Sequence, residues 1–503
     1  MPFWNKQQLA QVVTNQLRDF KFIVVSNREP YIHVKTDGGV HCKRPASGMA
    51  AALDPILRAS GGVWIAHGSG DADRLTVDQS NRVAVPPEDP TYTLRRVWLT
   101  PKLEEDYYHG LSNEGLWPLC HVAFQHPSFI DSQWESYREA NRLFAEAVLD
   151  EVAGKPAIVF IQDYHLALLP RMIKKAAENV IVAQFWHIPW PNRDQMRIFP
   201  WKNELLDGML GNDLLGFHLR SDCGNFLDTV ERNFDSSISH DRSTVVWDDH
   251  TTRVRAFPIS IDFDEHSRKA QSPQVSRLIE DWRRRLGPTE FLGIGIDRAD
   301  YTKGIPEKLL GLDYLFQRHP EYIGRLRFLQ IGAPSRIGSS GYPRLNQKIL
   351  DLASEVNQRW ERRGWRPVEF VHEHVEMPTL MALHRMANFC LVTSLHDGMN
   401  LVAKEFAASR ADESGALILS SFAGAAKELT SALLVNPFSA SEIAKAIDYS
   451  LSMTVEEQQL RMRQMRSTVR INNIYRWAGR IVLELSSNVL AGGRLTDLRM
   501  GAA

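Results

Sequence analysis

The sequence predicts an α/β protein of two Rossmann-like domains, each a doubly wound parallel sheet with helices on both faces. Three observations predict it. Short apolar runs without polar alternation recur along the chain, as in strands buried on both faces. Amphipathic helical segments fall between them, the order of a parallel sheet. About ten such runs make a large single sheet, and 503 residues divide more readily into two domains.

The elements follow in order. MPFWNKQQLAQVVTNQLRDF has helical periodicity, and FIVVS (22–26) is the first strand. GMAAALDPILRA is helical, VWIA (63–66) is a strand, and NRLFAEAVLDEVA is helical again. AIVFI (157–161), IVAQFWH (181–187) and LLGFH (214–218) continue the first sheet. A β-rich stretch, TVVWDDHTTRVRAFPIS, leads to a boundary near AFPISID (256–262), and the charged helix VSRLIEDWRRRL follows. FLGIGI (291–296), the helix GIPEKLLGLDYLF, RLRFLQIG (325–332), VEFVH (368–372), FCLVT (389–393) and ALILS (416–420) repeat the rhythm. The last helix, NNIYRWAGRIVLELSSNV (472–489), has no strand behind it and is expected to pack back on the first domain. The tail AGGRLTDLRMGAA is expected to fray. The expected domains are therefore 1–258 with the helix at about 472–490, and 259–471.

Composition narrows the function classes. Lys and Arg number 59, Asp and Glu 60, so the net charge of −1 supplies no global field for nucleic acid or an anionic membrane. Four scattered cysteines (Cys42, Cys120, Cys223, Cys390) have neither CxxC spacing nor a disulfide pattern, and suit a reducing cytoplasm. No signal peptide and no run of about 20 apolar residues is evident. The expectation is a soluble cytoplasmic protein. No HxxxH, HExxH or clustered carboxylates mark a metal, and no GxSxG supports a hydrolase-type nucleophile; no cofactor is expected.

In doubly wound sheets ligands bind beyond the carboxyl ends of the strands, here expected to face a shared central cleft. DRADYTKG places Arg298 and Lys303 after a strand and before a helix, where two cations and a helix N-terminus suit a diphosphate. On spacing alone, pairing of both with Asp297 and Asp300 in a solvated loop is equally open. LHDGMNLVAKEF repeats the arrangement: Gly398 allows a turn, Asn400 opens a helix, and Asp397 and Glu405 are carboxylates for sugar hydroxyls. SFAGAAKELT reads first as close helix packing. In the first domain QDYHL puts Asp163 and His165, and HIPWP puts His187, at strand ends. Arg28 and Arg336 each follow a strand; opposed, they would grip a phosphate.

Eight motifs occur in one order: VVSNR, YYHGLSNEGLWP, QDYHL, HIPWP, DRADYTKG, APSR, LHDGMNLVAKE and SSFAGAAKELT. In this the chain resembles retaining glycosyltransferase family 20, the trehalose-6-phosphate synthases, over about residues 20–490. The resemblance implies a GT-B fold and transfer of glucose from a nucleoside diphosphate glucose to glucose 6-phosphate with retention. Carried over, Arg298 and Lys303 would hold the donor diphosphate and Glu405 the ribose. Gly398, Met399, Asn400, Leu401 and Val402 would meet the nucleotide end, and Asp397 and His187 the donor glucose. Asp163 would contact both sugars at the reacting centre. Arg28, Tyr108, Trp117 and Arg336 would grip the phosphosugar. Gly48 would lie on a loop near the diphosphate. No protein nucleophile and no metal would be needed, and a homodimer or homotetramer is implied.

Three departures stand out. The family's HDYHL is QDYHL here, with Gln162 first. Its paired glycines are Ser47-Gly48, after a longer insert, PYIHVKTDGGVHCKRPA. Its GWSG segment is AHGSG, so His67 stands on the acceptor side where a tryptophan is expected. The donor residues are complete and the acceptor wall is altered. A synthase using another phosphorylated acceptor, such as glycerol 3-phosphate, is the alternative within the family. A non-catalytic GT-B sensor of sugar phosphates is the alternative outside it.

Overall fold

The computed structural model describes residues 4–44, 48–333 and 341–500. The chain forms two compact units, one of Met1–Pro258 with Tyr475–Ala503 and one of Ile259–Ile474.

The first unit contains β1 (Lys21–Ser26), β2 (Ile32–Thr36), β3 (Gly39–Lys43), β4 (Val63–His67), β5 (Arg82–Val85), β6 (Tyr92–Val97), β7 (Ala157–Gln162), β8 (Val180–Phe185), β9 (Leu214–Phe217), β10 (Ser237–Ser239), β11 (Thr244–Trp247) and β12 (His250–Ala256). Ten of these form one sheet in the order β10-β11-β12-β9-β8-β7-β1-β4-β6-β5. The run from β12 to β6 is parallel, and the outer strands are antiparallel. The winding reverses between β1 and β7, which opens a crevice at their carboxyl ends. β7 is buried along its whole length, as an unbroken apolar run requires.

The predicted strands are present, with shifted ends. IVAQFWH stops pairing at Phe185, so His187 lies two residues past the strand. The insert forms the antiparallel hairpin β2-β3, with Ile32 opposite Lys43. A buried ion cluster fastens it. Arg96 on β6 meets Glu29 at 2.9 Å and Asp73 at 2.7 Å, all three side chains fully buried. The same guanidinium reaches His33 Nδ1 on β2 at 2.8 Å. Burial and the neighbouring Asp73 hold the Glu29 carboxyl up at about 7 despite the opposing guanidinium.

The last helix, Ile474–Met500, belongs to this unit. It buries Trp477, Ala478, Ile481, Val482 and Leu485. The Trp477 indole donates to the Phe257 carbonyl at 3.1 Å. The helix runs past the expected end near residue 489. It extends to Met500, into the segment expected to fray.

The second unit holds β13 (Phe291–Arg298), β14 (Leu326–Ala333), β15 (Val368–Val371), β16 (Phe389–Val392), β17 (Ala416–Ser420) and β18 (Leu433–Val435). All pair in parallel, in the order β15-β14-β13-β16-β17-β18. The winding reverses between β13 and β16. Leu309, Leu312 and Phe316 of the helix Ile305–Arg318 join Phe328, Leu391 and Ile418 of the strands in one core. Truncating such a buried leucine to alanine costs about 2–5 kcal/mol. The chain enters this unit at Ile259 and leaves at Ile474, and Ile474 N donates to Ile261 O at 3.0 Å.

Candidate active site

In the second unit the sequence-predicted residues gather where the winding reverses. Arg298 is the last residue of β13, not the first of a loop. A 3-10 turn, Tyr301–Lys303, and Gly304 follow, and then the helix Ile305–Arg318. Gly304 has φ +62°, and a Cβ there would lie 2.1 Å from the Thr393 carbonyl after β16. Only glycine lets these two strand ends approach so closely. Lys303 Nζ reaches Asp397 Oδ2 at 2.6 Å, joining the DRADYTKG and LHDGMN motifs.

Asp297 and Asp300 are occupied elsewhere. The buried Asp297 pairs with Lys308 and accepts from Gln330 Nε2 at 3.1 Å. Asp300 Oδ1 accepts from the Thr302 amide and hydroxyl at 3.0 and 2.8 Å. An ammonium has three donors, so Lys303 keeps two beyond its bond to Asp397.

Asp397 is the hub of the second motif. Its Oδ2 also accepts from Asn400 Nδ2 at 3.1 Å and from Ser394 Oγ at 3.3 Å. Asn400 has φ +76° and caps the helix Leu401–Ser409 through Ala403 N at 3.1 Å. Leu401 and Val402 supply the first turn of that helix. The SFAG turn packs on this loop: Gly424 N donates to Asp397 O at 2.9 Å and Ala425 N to Met399 O at 2.7 Å. A Cβ on Gly424 would sit 2.0 Å from the Gly398 carbonyl. Glu405, one turn into the helix, is half-buried, and burial alone raises its carboxyl to about 7. Its carboxyl oxygens make no hydrogen bond to any described residue, which leaves them as acceptors for a ligand's hydroxyl groups. Ser394 was not singled out from sequence. Its signal was a small polar residue between a buried strand and an aspartate.

In the first unit the residues again lie where the winding reverses. Arg28, two residues past β1, donates to Tyr108 OH from Nη2 at 2.8 Å and from Nε at 3.3 Å. Tyr108 lies on a π-helix, Glu105–Leu116, a form often found at functional sites. Its ring stacks on His165 at 5.2 Å, and His165 stacks on Tyr164 at 4.1 Å. Trp117 packs 6.2 Å from Tyr164, whose hydroxyl donates to Asn113 Oδ1 at 3.0 Å. Arg28, Tyr108 and Trp117 thus share one aromatic cluster with a cation at its edge.

His67 is the last residue of β4. Its Nδ1 meets the Val97 carbonyl at 3.2 Å, and its Nε2 lies 3.5 Å from Glu104. That contact holds the Glu104 carboxyl below its usual range. Asp163 follows β7 with φ +71°, and its Oδ1 accepts from the amides of Tyr164 at 3.0 Å and His187 at 3.2 Å. His187 Nε2 bonds Gln162 Oε1 at 3.1 Å. Burial, and then the His218 ring, push the His187 imidazole well below its usual pKa. Gly48 is the first residue of the helix Gly48–Ser60. Arg336 and Ser47 lie outside the described residues.

Asp163 and Asn400 are non-glycine residues at positive φ, the first just past a strand and the second capping a helix. Such conformations cost about 1–3 kcal/mol and persist where surrounding bonds enforce them. The second unit combines cations, helix N-termini and hydroxyl-accepting carboxylates, the complement of a sugar phosphate. The first presents a cation beside stacked aromatic rings.

The model of glycosyltransferase family 20 matches residues 20–487. The chain is 36% identical over 486 residues to the trehalose-6-phosphate synthase of Mycobacterium sp. (strain KMS), covering 95% of this chain and 97% of that protein. It is 35% identical over 478 residues to the bifunctional trehalose-6-phosphate synthase/phosphatase of Thermoproteus tenax, covering 93% of this chain but spanning 64% of that protein's length. Among solved structures, the α,α-trehalose-phosphate synthase (UDP-forming) from Burkholderia vietnamiensis matches with TM-score 0.83 and 30% identity over 93% of this chain and 100% of that one. The E. coli structure bound with UDP-2-fluoro glucose matches with TM-score 0.83 and 29% identity, over 93% and 99%.

Proposed function

The chain belongs to glycosyltransferase family 20 and has the GT-B fold, and from that premise we propose that it transfers glucose from UDP-glucose to glucose 6-phosphate. The products are UDP and α,α-trehalose 6-phosphate. The observation that carries the reading is the linked set Lys303, Asp397 and Asn400 where the six-stranded sheet reverses, with Arg298 and Glu405 beside it. The relatives' UDP-forming synthase activity supports it.

In this reading Arg298 and the two remaining Lys303 donors hold the diphosphate and stabilise the negative charge that grows as it leaves. Glu405 accepts from the ribose hydroxyls, and the turn Gly398–Val402 receives the nucleotide through its main chain. Asp397 and His187 hold hydroxyls of the donor glucose, and Asp163 orients both sugars. Arg28 and Tyr108 bind the acceptor phosphate with Arg336, while Trp117 supplies an apolar wall. The acceptor hydroxyl attacks the face that the diphosphate leaves. A leaving phosphate oxygen takes its proton, so atoms and charge balance without a protein nucleophile. The 259–471 region serves as the donor domain and 1–258 as the acceptor domain, in a soluble cytoplasmic homo-oligomer.

Incubation with UDP-glucose and either glucose 6-phosphate or glycerol 3-phosphate, followed by product mass, tests the reading. A disaccharide phosphate from glucose 6-phosphate is expected. Product from glycerol 3-phosphate alone would overturn the acceptor assignment.

A further inference from the structure

The residue that departs from the family's HDYHL pattern, Gln162, touches a histidine of the candidate site. Gln162 is fully buried at the end of β7. Its Nε2 donates to the Ile161 carbonyl at 3.2 Å. A carbonyl only accepts, so the amide cannot be turned round, and Oε1 must be the atom facing His187 Nε2 at 3.1 Å. Oε1 cannot donate. The bond therefore exists only when His187 carries its proton on Nε2.

We propose that Gln162 fixes His187 as the neutral Nε2–H tautomer, so that its Nδ1 lone pair accepts a hydrogen bond from a hydroxyl of the bound sugar. Gln162 is then a positioning residue, and His187 is a hydroxyl reader rather than a cation for phosphate. This rests on the glucosyltransferase reading for what Nδ1 meets, but not for the tautomer itself.

The surroundings agree. Among the described residues, the ring's own hydrogen bond runs to Gln162. The titratable groups facing it are His218, with ring centroids 5.6 Å apart, and Asp163, whose carboxyl meets the His187 amide rather than the ring. Phe185 covers another side at 4.6 Å. Burial first, and then the neighbouring His218 ring, disfavour a positive charge on His187. A histidine at position 162, as in the HDYHL pattern, would itself titrate and could present either a donor or an acceptor. Glutamine removes that freedom.

Two measurements test this, one independent of turnover. Long-range 1H–15N spectra of the histidine-labelled full chain should show the His187 ring as a single Nε2–H tautomer, unchanged between about pH 6 and 8, a range that brackets the ordinary histidine value. An Nδ1–H ring, or a ring that titrates there, overturns the proposal even if no glucosyl transfer is detected. The second measurement is the pH profile of kcat/KM for the glucose donor. In Gln162→Glu the carboxylate favours the imidazolium, both ring nitrogens become donors, and Nδ1 no longer accepts. Its activity should fall about 10-fold or more as pH drops through neutrality and recover above it. Gln162→Leu should lose about 3- to 10-fold at every pH, the loss of one neutral hydrogen bond. A folded Gln162→Glu chain with the wild-type profile would overturn the proposal. Absence of any transfer by the wild type would overturn the glucosyltransferase reading alone, and the spectra would still decide the tautomer.

Discussion

Replacing Lys303 by alanine separates a cation that acts on the substrate from one that only holds Asp397. Lys303 Nζ and Asp397 Oδ2 are 2.6 Å apart, with side chains 15% and 13% exposed. At an effective dielectric constant of about 20 the bare attraction is about 6 kcal/mol. Desolvation cancels most of it, leaving about 1.5–3 kcal/mol for a charge-assisted bond. Asp397 retains Asn400 and Ser394 after the change, at 3.1 and 3.3 Å. Folding should therefore survive. The larger effect is expected on the reaction. Losing one preorganised donor at a developing anion costs about 2.7–4 kcal/mol, or about 100- to 1,000-fold in kcat. Initial rates of UDP release from UDP-glucose and glucose 6-phosphate measure it, with circular dichroism as a check on folding. The same substitution in an Asp397→Asn background makes the test sharper. If Lys303 works on the diphosphate, it should cost a similar factor again in that background. Turnover within about threefold of the parent in either background would refute the assignment.

Glu405→Gln should be more stable than the wild type at pH 8 by about 3 kcal/mol, and equal to it near pH 4. The carboxyl rises from 4.5 to about 7 on folding, so between those values the folded chain holds more protons and stability falls as pH rises. Thermal melts across that range check the sign, and an unchanged pH dependence would contradict it. Tyr108→Phe removes the acceptor of the Arg28 guanidinium. It should raise KM for glucose 6-phosphate about fivefold, from a bond worth about 1 kcal/mol, with kcat nearly unchanged; a selective rise in donor KM would be the wrong result. Arg96→Met leaves the buried Glu29 and Asp73 without their cation. A loss of about 3–5 kcal/mol in urea unfolding is expected, and a loss under 1 kcal/mol would show that the cluster relaxes.

The fold was legible where strands are buried on both faces. AIVFI and FLGIGI have no polar position, and such runs fit only a covered sheet. Strands with an exposed face were legible only as the β-rich stretch that holds β11 and β12, while β2, β3, β5 and β6 were missed. In β6 the run YTLRRV carries two arginines, one of which, Arg96, is an internal cation that sequence marks as a surface residue. The hairpin in the insert has a mostly exposed second strand, GVHCK, and offers no apolar period. In the candidate site the residue types were legible but their partners were not. DRADYTKG contains two aspartates beside its cations, yet Lys303 pairs with Asp397, 94 positions away. That choice depends on strand order, since β13 and β16 are neighbours only because the winding reverses between them. The π-helix around Tyr108 has no sequence period that distinguishes it from an α-helix.

The two crossings between units, at Ile259 and Ile474, set an order of assembly. The Ile259–Ile474 unit is one uninterrupted stretch, so it has all its residues before the helix that follows it is translated. The unit that leaves the ribosome first does not. Its sheet lacks the face made by Trp477, Ala478, Ile481, Val482 and Leu485 until the last helix is translated. The later-made unit is then able to fold first, and the earlier-made unit waits on the helix from Ile474 with apolar surface around Phe185 and Phe257 uncovered. A chain broken off before residue 475 would carry that uncovered patch as a mark of incompleteness, which chaperones and proteases recognise.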